Sequence, residues 1–479
     1  MNRQLKQRLL MSIVILILLC SFFLLYIYSL TSYQNKIIHA NISRNQLQIF
    51  ELITPFINKE QRLANLLIVG NRSAWLHLAK IYAQQNSDIA YQLAQYYFSQ
   101  GEKKSALVWY QQAIRQHHKI ARIALAKHYF DTQQYQKIKA LLLPIIDNEK
   151  ALVMLYQLAI QLGDTAFISQ HQATLANSTE TDFYNQLVDF SVFNLHEKNN
   201  VNSINKTTAQ VKSALEQCGV DVQFFATNLA GFHHGKKLIA QFQQHELSKK
   251  LCLQNPKYIP AHQVNCQHNK QDRITCKASV WATRNDINSR YIGLIVEQGG
   301  ANVDHGIMYI DQQDNLDVLV HELAHFIGFI DEYPLPEQHQ KCAKNQIAPF
   351  SHNVVTLKKI HHGERAKIRK RILAQLPWGS LIKDSTPILS KIKSTSELKL
   401  TESWVLNTPK FYQNELGVYN AHSCDKSPNV QAFKSHYTRT KLEYFELNFP
   451  QEYIKIMDLA PNKFLMPSYH FNVSRELSR

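Results

Sequence analysis

The chain has 479 residues, of which 45% are hydrophobic and 19% are charged, and this composition excludes an intrinsically disordered protein. The length is sufficient for a membrane segment and two or three domains, each with its own hydrophobic core. The 53 Lys and Arg residues outnumber the 37 Asp and Glu residues, and the net charge of +16 favours anionic surroundings without distinguishing nucleic acid from lipid or cell-wall polymer.

The first predicted element is an uncharged apolar run at residues 9–30, which follows Arg3, Lys6 and Arg8. The run is long enough to cross a bilayer as a helix. The sequence at the C-terminal end of the run, YSLTSY, is a poor match to a signal-peptide cleavage site. We therefore expect an uncleaved anchor, with a processed signal peptide as the alternative. The basic flank predicts that residues 1–8 are cytoplasmic and that the chain beyond residue 30 is extracytoplasmic, which is periplasmic in a Gram-negative bacterium.

Residues 31–70 are polar and predict a helical stalk. Sequences beginning with Leu-Ala then recur after 32 and 33 residues, at positions 93, 125 and 158. Small residues stand where helices must approach closely, namely Ala94, Ala106, Ala113 and Ala126. This pattern at 71–195 resembles tetratricopeptide-type helical hairpins, with an ordinary helical bundle as the alternative. In either case we expect a spacer or a docking surface for a protein partner.

The polar stretch HEKNNVNSINKTT lacks an apolar period and predicts a linker at 196–215. Beyond the linker the sequence predicts short strands that alternate with helical stretches, and these strands are ITCKASVWA, YIGLIVEQ and GIMYI. We therefore expect an α+β chain in which the anchor and the helical repeats precede a mixed-sheet domain at 216–479.

Six cysteines lie beyond residue 200, and an even set in an extracytoplasmic domain predicts three disulfides. Of the possible pairings we expect Cys266–Cys276, across a hairpin, and Cys342–Cys424. The sequence contains no Cys-x-x-Cys pair in support of the alternative, a cysteine metal site. The remaining cysteines of the set are Cys218 and Cys252.

The stretch HELAHFIGFIDEY begins at His321 and follows an N-cap candidate, Asp314 or Asn315. Apolar residues with helical spacing form one stripe: Leu316, Leu319, Val320, Leu323 and Ile327. His321 and His325 lie opposite that stripe, one turn apart on the same face, so both imidazoles can bind one ion. Glu322 lies beside the ion without being forced to ligate it.

Gly328 predicts the end of this helix, because glycine easily takes the left-handed turn that reverses the chain. The turn can return Asp331 to the ion as a third ligand, with Glu332 as the alternative. A His-acid-x-x-His match is expected about 0.08 times in a chain of this composition, and requiring Gly328 and an acid at 331 lowers this to the order of 0.0002. A surface helix that carries two histidines by chance is therefore the weaker interpretation.

The spacing His-Glu-x-x-His-x-x-Gly-x-x-Asp resembles the metzincin zinc peptidases, in the variants with an aspartate as third ligand, as in snapalysin. The following Glu332 and Tyr333 make the motif similar to that of the IgA-peptidase-like metallopeptidases, in which the acid usually stands one residue later. The resemblance covers about residues 220–470, and only the motif is specific. It implies a twisted mixed sheet with an active-site helix, followed by a smaller C-terminal subdomain that closes the cleft.

The resemblance also implies a methionine turn beneath the zinc ion. TKLEY, at residues 440–444, has the spacing of that turn but carries Leu442 where the family has methionine. Met466 and Met457 are the alternatives. Tyr444 or Tyr469 is a possible oxyanion ligand, although a core tyrosine is the more common role for each.

The ligand set of two imidazoles and a carboxylate leaves an open position for a water molecule whose pKa zinc lowers. Glu322 then acts as general base, and zinc stabilises the oxyanion. We expect a membrane-anchored, extracytoplasmic zinc endopeptidase that acts on proteins or peptides. The alternatives are a helical-repeat scaffold with an inactive peptidase domain and a cell-wall peptide hydrolase. We expect no nucleic-acid partner, because the basic stretch at 358–371 lacks interleaved aromatic residues.

Overall fold

The computed structural model describes residues 3–39, 59–68, 70, 72–193, 219–268, 273–337, 339–392, 402–427 and 430–478 of the chain. The predicted linker at 196–215 and Cys218 lie outside these residues, as do residues 40–58 of the predicted stalk. The described elements are a mixture of helices and strands, as predicted. They form two compact units, Met1–Leu158 and Ala159–Arg479.

The N-terminal helix α1 (Arg3–His39) contains the predicted membrane segment. Its residues Met11–Ser29 are exposed throughout and, within the described part of the chain, form one helix long and apolar enough to cross a membrane. A membrane anchor and a signal sequence share this length and composition, so the uncleaved anchor stays a prediction.

The rest of the first unit consists of short helices joined by tight turns. They are α2 (Lys59–Ile68), α3 (Arg72–Tyr82), α4 (Ser87–Ser99), α5 (Lys103–Arg115), α6 (Lys119–Asp131), α7 (Ile138–Leu142) and α8 (Glu149–Leu162), the last of which crosses into the second unit. Four alanines predicted at close helix contacts have no exposed surface, namely Ala94, Ala106, Ala113 and Ala126. Their burial agrees with the predicted packing, while the resemblance to tetratricopeptide repeats stays a prediction.

Two helices of the predicted repeat region belong to the second unit, α9 (Thr165–Ala176) and α10 (Thr181–Asp189). Phe190 follows α10 and packs against the rings of Phe232 and Tyr258, with centroid distances of 4.6 and 5.1 Å. Its carbonyl oxygen also accepts a hydrogen bond from the backbone N–H of Tyr258 at 3.0 Å. These contacts join residues on both sides of the predicted linker, and both sides belong to the second unit, while the predicted domain bounds stay a prediction.

The core of the second unit is a five-stranded sheet. Four strands are parallel, and an antiparallel strand forms one edge, in the order β2 (Leu251–Tyr258), β1 (Val220–Ala226), β5 (Tyr291–Val296), β7 (Ile307–Asp311) and β6 (Asn302–Asp304). β5 and β7 are buried along their whole length, as is usual for parallel strands covered on both faces. Helix α11 (Leu229–Phe242) packs on β1 and β2, and the motif helix α13 (Leu316–Phe326) packs on β6 and β7.

The predicted strands YIGLIVEQ and GIMYI correspond to β5 and β7, but ITCKASVWA is mostly not a strand. Only β4 (Ile274–Thr275), paired with β3 (Gln267–His268), is extended in that segment. Residues Ala278–Thr283 form a 3-10 turn instead, because the Glu476 carboxylate accepts hydrogen bonds from the backbone N–H groups of Ala278 and Ser279. A distant acceptor therefore decides the local structure.

Smaller elements complete the second unit. They are α12 (Ala261–Val264), β8 (Val354–Leu357), β9 (Ile360–His362), α14 (Arg365–Leu373), β10 (Leu389–Lys391), β11 (Ser403–Leu406), β12 (Tyr419–Ala421), β13 (Gln431–Lys434), α15 (Gln451–Asp458) and α16 (His470–Leu477). The predicted disulfides Cys266–Cys276 and Cys342–Cys424 are both formed. Cys252 is disulfide-bonded as well, which is consistent with an oxidising compartment.

Candidate metal centre

The candidate metal centre begins on α13, whose apolar side enters the core. Asn315 caps this helix, since its side-chain oxygen accepts a hydrogen bond from the Val318 N–H at 3.1 Å, and this selects one of the two predicted caps. Leu319 and Leu323 of the predicted stripe have no exposed surface. His321 and His325 lie one turn apart, with ring centroids separated by 5.0 Å. The pattern therefore predicted the orientation of this helix correctly.

The turn after α13 brings the third predicted ligand to the two imidazoles. Gly328 has a φ of 91°, and a Cβ atom at this position would lie 2.6 Å from the carbonyl oxygen of Phe464. Both the left-handed backbone conformation and the close contact with Phe464 therefore require glycine. Beyond the turn, Oδ1 of Asp331 lies 3.2 Å from Nε2 of His321 and 3.3 Å from Nε2 of His325. The potential ligand atoms of the three residues all lie within 4.8 Å of one another.

Both imidazoles are oriented by backbone carbonyl groups. Nδ1 of His321 lies 2.8 Å from the carbonyl oxygen of Lys441, and Nδ1 of His325 lies 3.1 Å from that of Phe329. A carbonyl oxygen only accepts hydrogen bonds, so each Nδ1 must carry the proton. In the neutral imidazole this leaves a lone pair on each Nε2, pointing towards Asp331, which is the tautomer of a metal ligand.

The three residues fit a divalent cation. Oδ1 of Asp331 is buried and receives no well-aligned hydrogen bond from the described residues. When both imidazoles are neutral it faces the lone pairs of both Nε2 atoms, and three converging lone pairs are unfavourable unless a proton or a metal ion lies between them. Two nitrogen ligands and one carboxylate oxygen suit zinc and several other transition metals. His321, His325 and Asp331 can therefore hold a metal ion.

The charges of these groups are coupled. Burial lowers the pKa of the His325 imidazole, but the Asp331 carboxylate beside it outweighs burial and raises that pKa to about 9. Burial would raise the pKa of Asp331, but the neighbouring imidazoles hold it well below its usual range. Without metal the site therefore contains an imidazolium–carboxylate pair at neutral pH, and a metal ion must displace its proton.

Glu322 lies beside this triad in the same cleft, with only 8% of its surface exposed. Burial raises the pKa of its carboxyl group, while His325 and His321 partly oppose the shift. A carboxylate with a raised pKa accepts a proton more readily than an exposed glutamate does. The position and environment of Glu322 are those expected of a general base.

Glu332, the alternative third ligand, points into the protein interior instead. Its carboxylate has no exposed surface and is bonded to four side chains, Lys434 at 2.8 Å, Thr440 at 2.9 Å, Asn353 at 3.0 Å and the hydroxyl of Tyr453. The two neighbouring acids therefore have different roles. Asp331 faces the imidazoles, while Glu332 fixes the backbone of the segment that carries Asp331.

The turn at residues 440–444 contacts the first of the two histidines, His321. Lys441 supplies the carbonyl oxygen that holds His321, and the carbonyl oxygen of Leu442 accepts a hydrogen bond from the N–H of Glu332 at 2.8 Å. Leu442 has no exposed surface. This turn therefore supports both α13 and the Asp331 segment, with leucine at the position where a methionine was expected.

The alternative methionines and the two candidate tyrosines lie in different parts of the second unit. Met466 lines the cleft, where its sulfur atom accepts a hydrogen bond from the N–H of Gly306 at 3.2 Å, and Met457 is buried on α15. Tyr444 is 47% exposed beneath the guanidinium group of Arg439, and Tyr469 is buried in the core beside the sheet. The structure does not bring either tyrosine to the cleft.

Sequence reasoning missed several residues of the cleft, which has a volume of about 730 Å³. Tyr333 stands in the recognised motif, and its ring lies parallel to that of His321, with a centroid distance of 6.4 Å. Burial and the Asp331 carboxylate both raise the pKa of the Tyr333 hydroxyl, which stays protonated. Basic residues outside the motif also line the cleft, namely Arg273, which lies far along the chain, and His339 and Lys341, which follow the motif. No sequence signal places these last three beside the motif.

Comparison of the chain with protein-family models, with curated proteins and with solved structures finds no match. The case for a function therefore rests on the geometry and chemistry of this site.

Proposed function

We propose that this chain is a membrane-anchored, extracytoplasmic, zinc-dependent endopeptidase of metzincin type. The observation that carries the proposal is the convergence of His321, His325 and Asp331 beside the buried carboxylate of Glu322, at a cleft that Glu322, His325 and Asp331 line. A metal-ligand triad with an adjacent general base is the arrangement that metal-assisted hydrolysis requires.

Zinc is the metal that we assign to the triad. Its structural sites have four protein ligands, whereas its hydrolytic sites have three and leave a position open towards the substrate. The carbonyl partners of both Nδ1 atoms supply the outer hydrogen bonds that orient such ligands. When bound, zinc would lower the pKa of a coordinated water molecule and polarise the scissile carbonyl group.

Residues of the chain carry out the proton transfers and stabilise the oxyanion. Glu322 removes a proton from the attacking water molecule and delivers it to the leaving amine. We assign the hydrogen bond to the oxyanion to Tyr333, whose ring lies beside His321 in the cleft and whose hydroxyl interacts with the Asp331 carboxylate, in the role that the sequence suggested for Tyr444 or Tyr469. Its protonated hydroxyl is the form that this role requires.

The shape of the cleft suits an extended peptide. β6 lies at the edge of the sheet, and its residues Asn302, Val303 and Asp304 line the cleft. In the described part of the chain β6 pairs as a strand only with β7, and the Asp304 carbonyl oxygen accepts a hydrogen bond from the Asn472 amide, so a substrate strand would pair with the backbone groups of β6 that remain. A peptide bound in this way would pass the metal centre.

We infer the compartment from α1 and the disulfides. A helix able to span the membrane, followed by a disulfide-bonded unit, supports an extracytoplasmic location for the cleft. We assign to the helical first unit the role of a spacer or of a docking surface for a protein partner.

Cleavage of an unfolded protein by full-length, zinc-loaded chain in detergent tests the proposal. Glu322→Gln should retain zinc and lose at least about a thousandfold in rate, because the amide cannot accept the proton. Zinc binding without cleavage of any unfolded protein would refute the peptidase and favour the inactive scaffold. Cleavage that survives Glu322→Gln would refute the proposed role of this residue.

A further inference from the structure

We infer that the cleft binds a carboxylate group of its peptide substrate beside the metal centre, through the ammonium group of Lys341 with the support of Arg273. This inference rests on the proposed peptidase function and specifies its substrate class. The carboxylate belongs either to an acidic side chain near the scissile bond or to the C-terminus of the substrate.

The segment that carries Lys341 is fixed to the segment that carries Asp331. Lys341 lies in the turn Gln340–Cys342, and Cys342 forms a disulfide with Cys424. Ser423, adjacent to Cys424, donates a hydrogen bond from its hydroxyl to the carbonyl oxygen of Asp331 at 2.7 Å. Both segments are therefore held by the same short stretch of chain, and Lys341 is preorganised at the metal centre.

The ammonium group of Lys341 has no anionic partner in the described part of the chain. It is partly buried and lies 5.0 Å from the ring centre of Phe350, which offers no full negative charge. Burial lowers the pKa of this ammonium group, and the Asp331 carboxylate opposes that shift from a distance. A cation held in a cleft without a counter-ion is unfavourable until an anion binds to it.

The acidic residues that line the cleft are already engaged. Asp331 is directed at both imidazoles, and Asp304 forms an ion pair with Arg475 at 2.8 Å. Glu322 is buried beside the metal centre, where a bound cation would offset its charge. The positive charge of Lys341 is therefore available to a ligand.

Arg273 adds positive potential to the same part of the cleft. Its charge acts on Glu322 and Tyr333, and it lines the cleft together with Lys341. A third cation, Lys463, comes from a different segment and lies 5.3 Å from the ring centre of Phe464. Since Lys463 is a basic cleft residue without the connection to Asp331, it provides a matched control.

Binding of non-hydrolysable peptides to the full-length, zinc-loaded protein tests the inference. The probes are succinyl hydroxamate peptides that differ in one group, either aspartate against asparagine or a free C-terminal carboxylate against an amide. We expect one carboxylate probe to bind about tenfold more tightly than its neutral partner, as for a hydrogen-bonded ion pair. Which pair shows the preference identifies the source of the carboxylate.

The same measurement on variants assigns the preference to residues. Lys341→Met should remove it, Arg273→Met should reduce it, and Lys463→Met should leave it unchanged. Two results would overturn the inference and leave the peptidase proposal intact. One is equal binding of the carboxylate and neutral probes, and the other is a preference for the carboxylate probe that persists in both Lys341→Met and Arg273→Met. If no probe binds at all, the peptide-binding cleft and the inference fail together.

Discussion

Nδ1 of His321 donates a hydrogen bond to the carbonyl oxygen of Lys441 at 2.8 Å, across 120 positions of sequence. This bond fixes the tautomer of a metal-ligand candidate from a turn that lies far along the chain. The residue after Lys441 is Leu442, whose carbonyl oxygen accepts a hydrogen bond from the backbone N–H of Glu332. The same turn therefore also holds the segment that carries Asp331. The geometry of the metal centre therefore depends on this turn.

The first prediction concerns the buried side chain of that turn. Leu442→Ala should lower the free energy of unfolding by about 2–4 kcal/mol and weaken zinc binding, because the cavity loosens the support of His321. Leu442→Met, which introduces the residue that the metzincin resemblance implies at this position, should cost less than about 1.5 kcal/mol. Thermal unfolding and zinc titration check both variants. Equal zinc affinity in the alanine variant would contradict this role.

The second prediction compares two neighbouring acids. Asp331→Asn should raise the Kd for zinc roughly a hundredfold or more, because a charged ligand is lost. Glu332→Gln should instead destabilise the fold by about 3 kcal/mol, since it removes the closer of the two carboxylates paired with the buried ammonium group of Lys434 and leaves only Glu443, at 3.3 Å. Zinc affinity and chemical denaturation, measured on both variants, distinguish the two roles. The opposite assignment of effects would make Glu332 the ligand.

The third prediction concerns the turn at Gly328. Gly328→Ala should destabilise the protein by more than about 1 kcal/mol and reduce zinc binding, because the new methyl group meets the backbone of Phe464 at 2.6 Å. Gly300→Ala is the control, since Gly300 also has a positive φ, of 69°, but open space around its Cβ position. We expect a smaller loss of stability there. Equal losses in the two variants would show that backbone strain alone, without the steric contact, sets the cost.

The fourth prediction is a pH dependence. Because the pKa of His325 is raised to about 9, the metal-free site carries a proton below that pH and must release it when zinc binds. The affinity should therefore fall by about tenfold for each pH unit between roughly pH 8.5 and 7. Calorimetry at pH 7.5 in buffers of different ionisation enthalpy measures the released proton. Identical binding enthalpies in these buffers would contradict the predicted proton release.

The sequence predicted the local features of the site because they depend on neighbouring residues. The cap at Asn315, the left-handed turn at Gly328 and the return of Asp331 all follow from helical period and turn chemistry. The two described disulfides also agree with the predicted pairings, Cys266–Cys276 and Cys342–Cys424.

Features that depend on distant contacts were not predictable in the same way. The 3-10 turn at Ala278–Thr283 depends on the carboxylate of Glu476. The position of Lys341 beside the metal centre depends on the next residue, Cys342, whose disulfide partner Cys424 lies 82 positions further along the chain. The packing of Phe190 on Phe232 and Tyr258 likewise joins the end of the helical region to residues beyond the predicted linker. In each case a residue far along the chain decides the structure, and no local pattern records it.

The most direct test of the central claim is the zinc content of the purified full-length protein, compared with that of its Asp331→Asn variant. We predict about one tightly bound zinc ion per wild-type chain, and loss of that ion in a variant that remains folded. A folded, disulfide-bonded wild-type protein that binds no zinc would contradict the account, because His321 and His325 would then have no metal to hold.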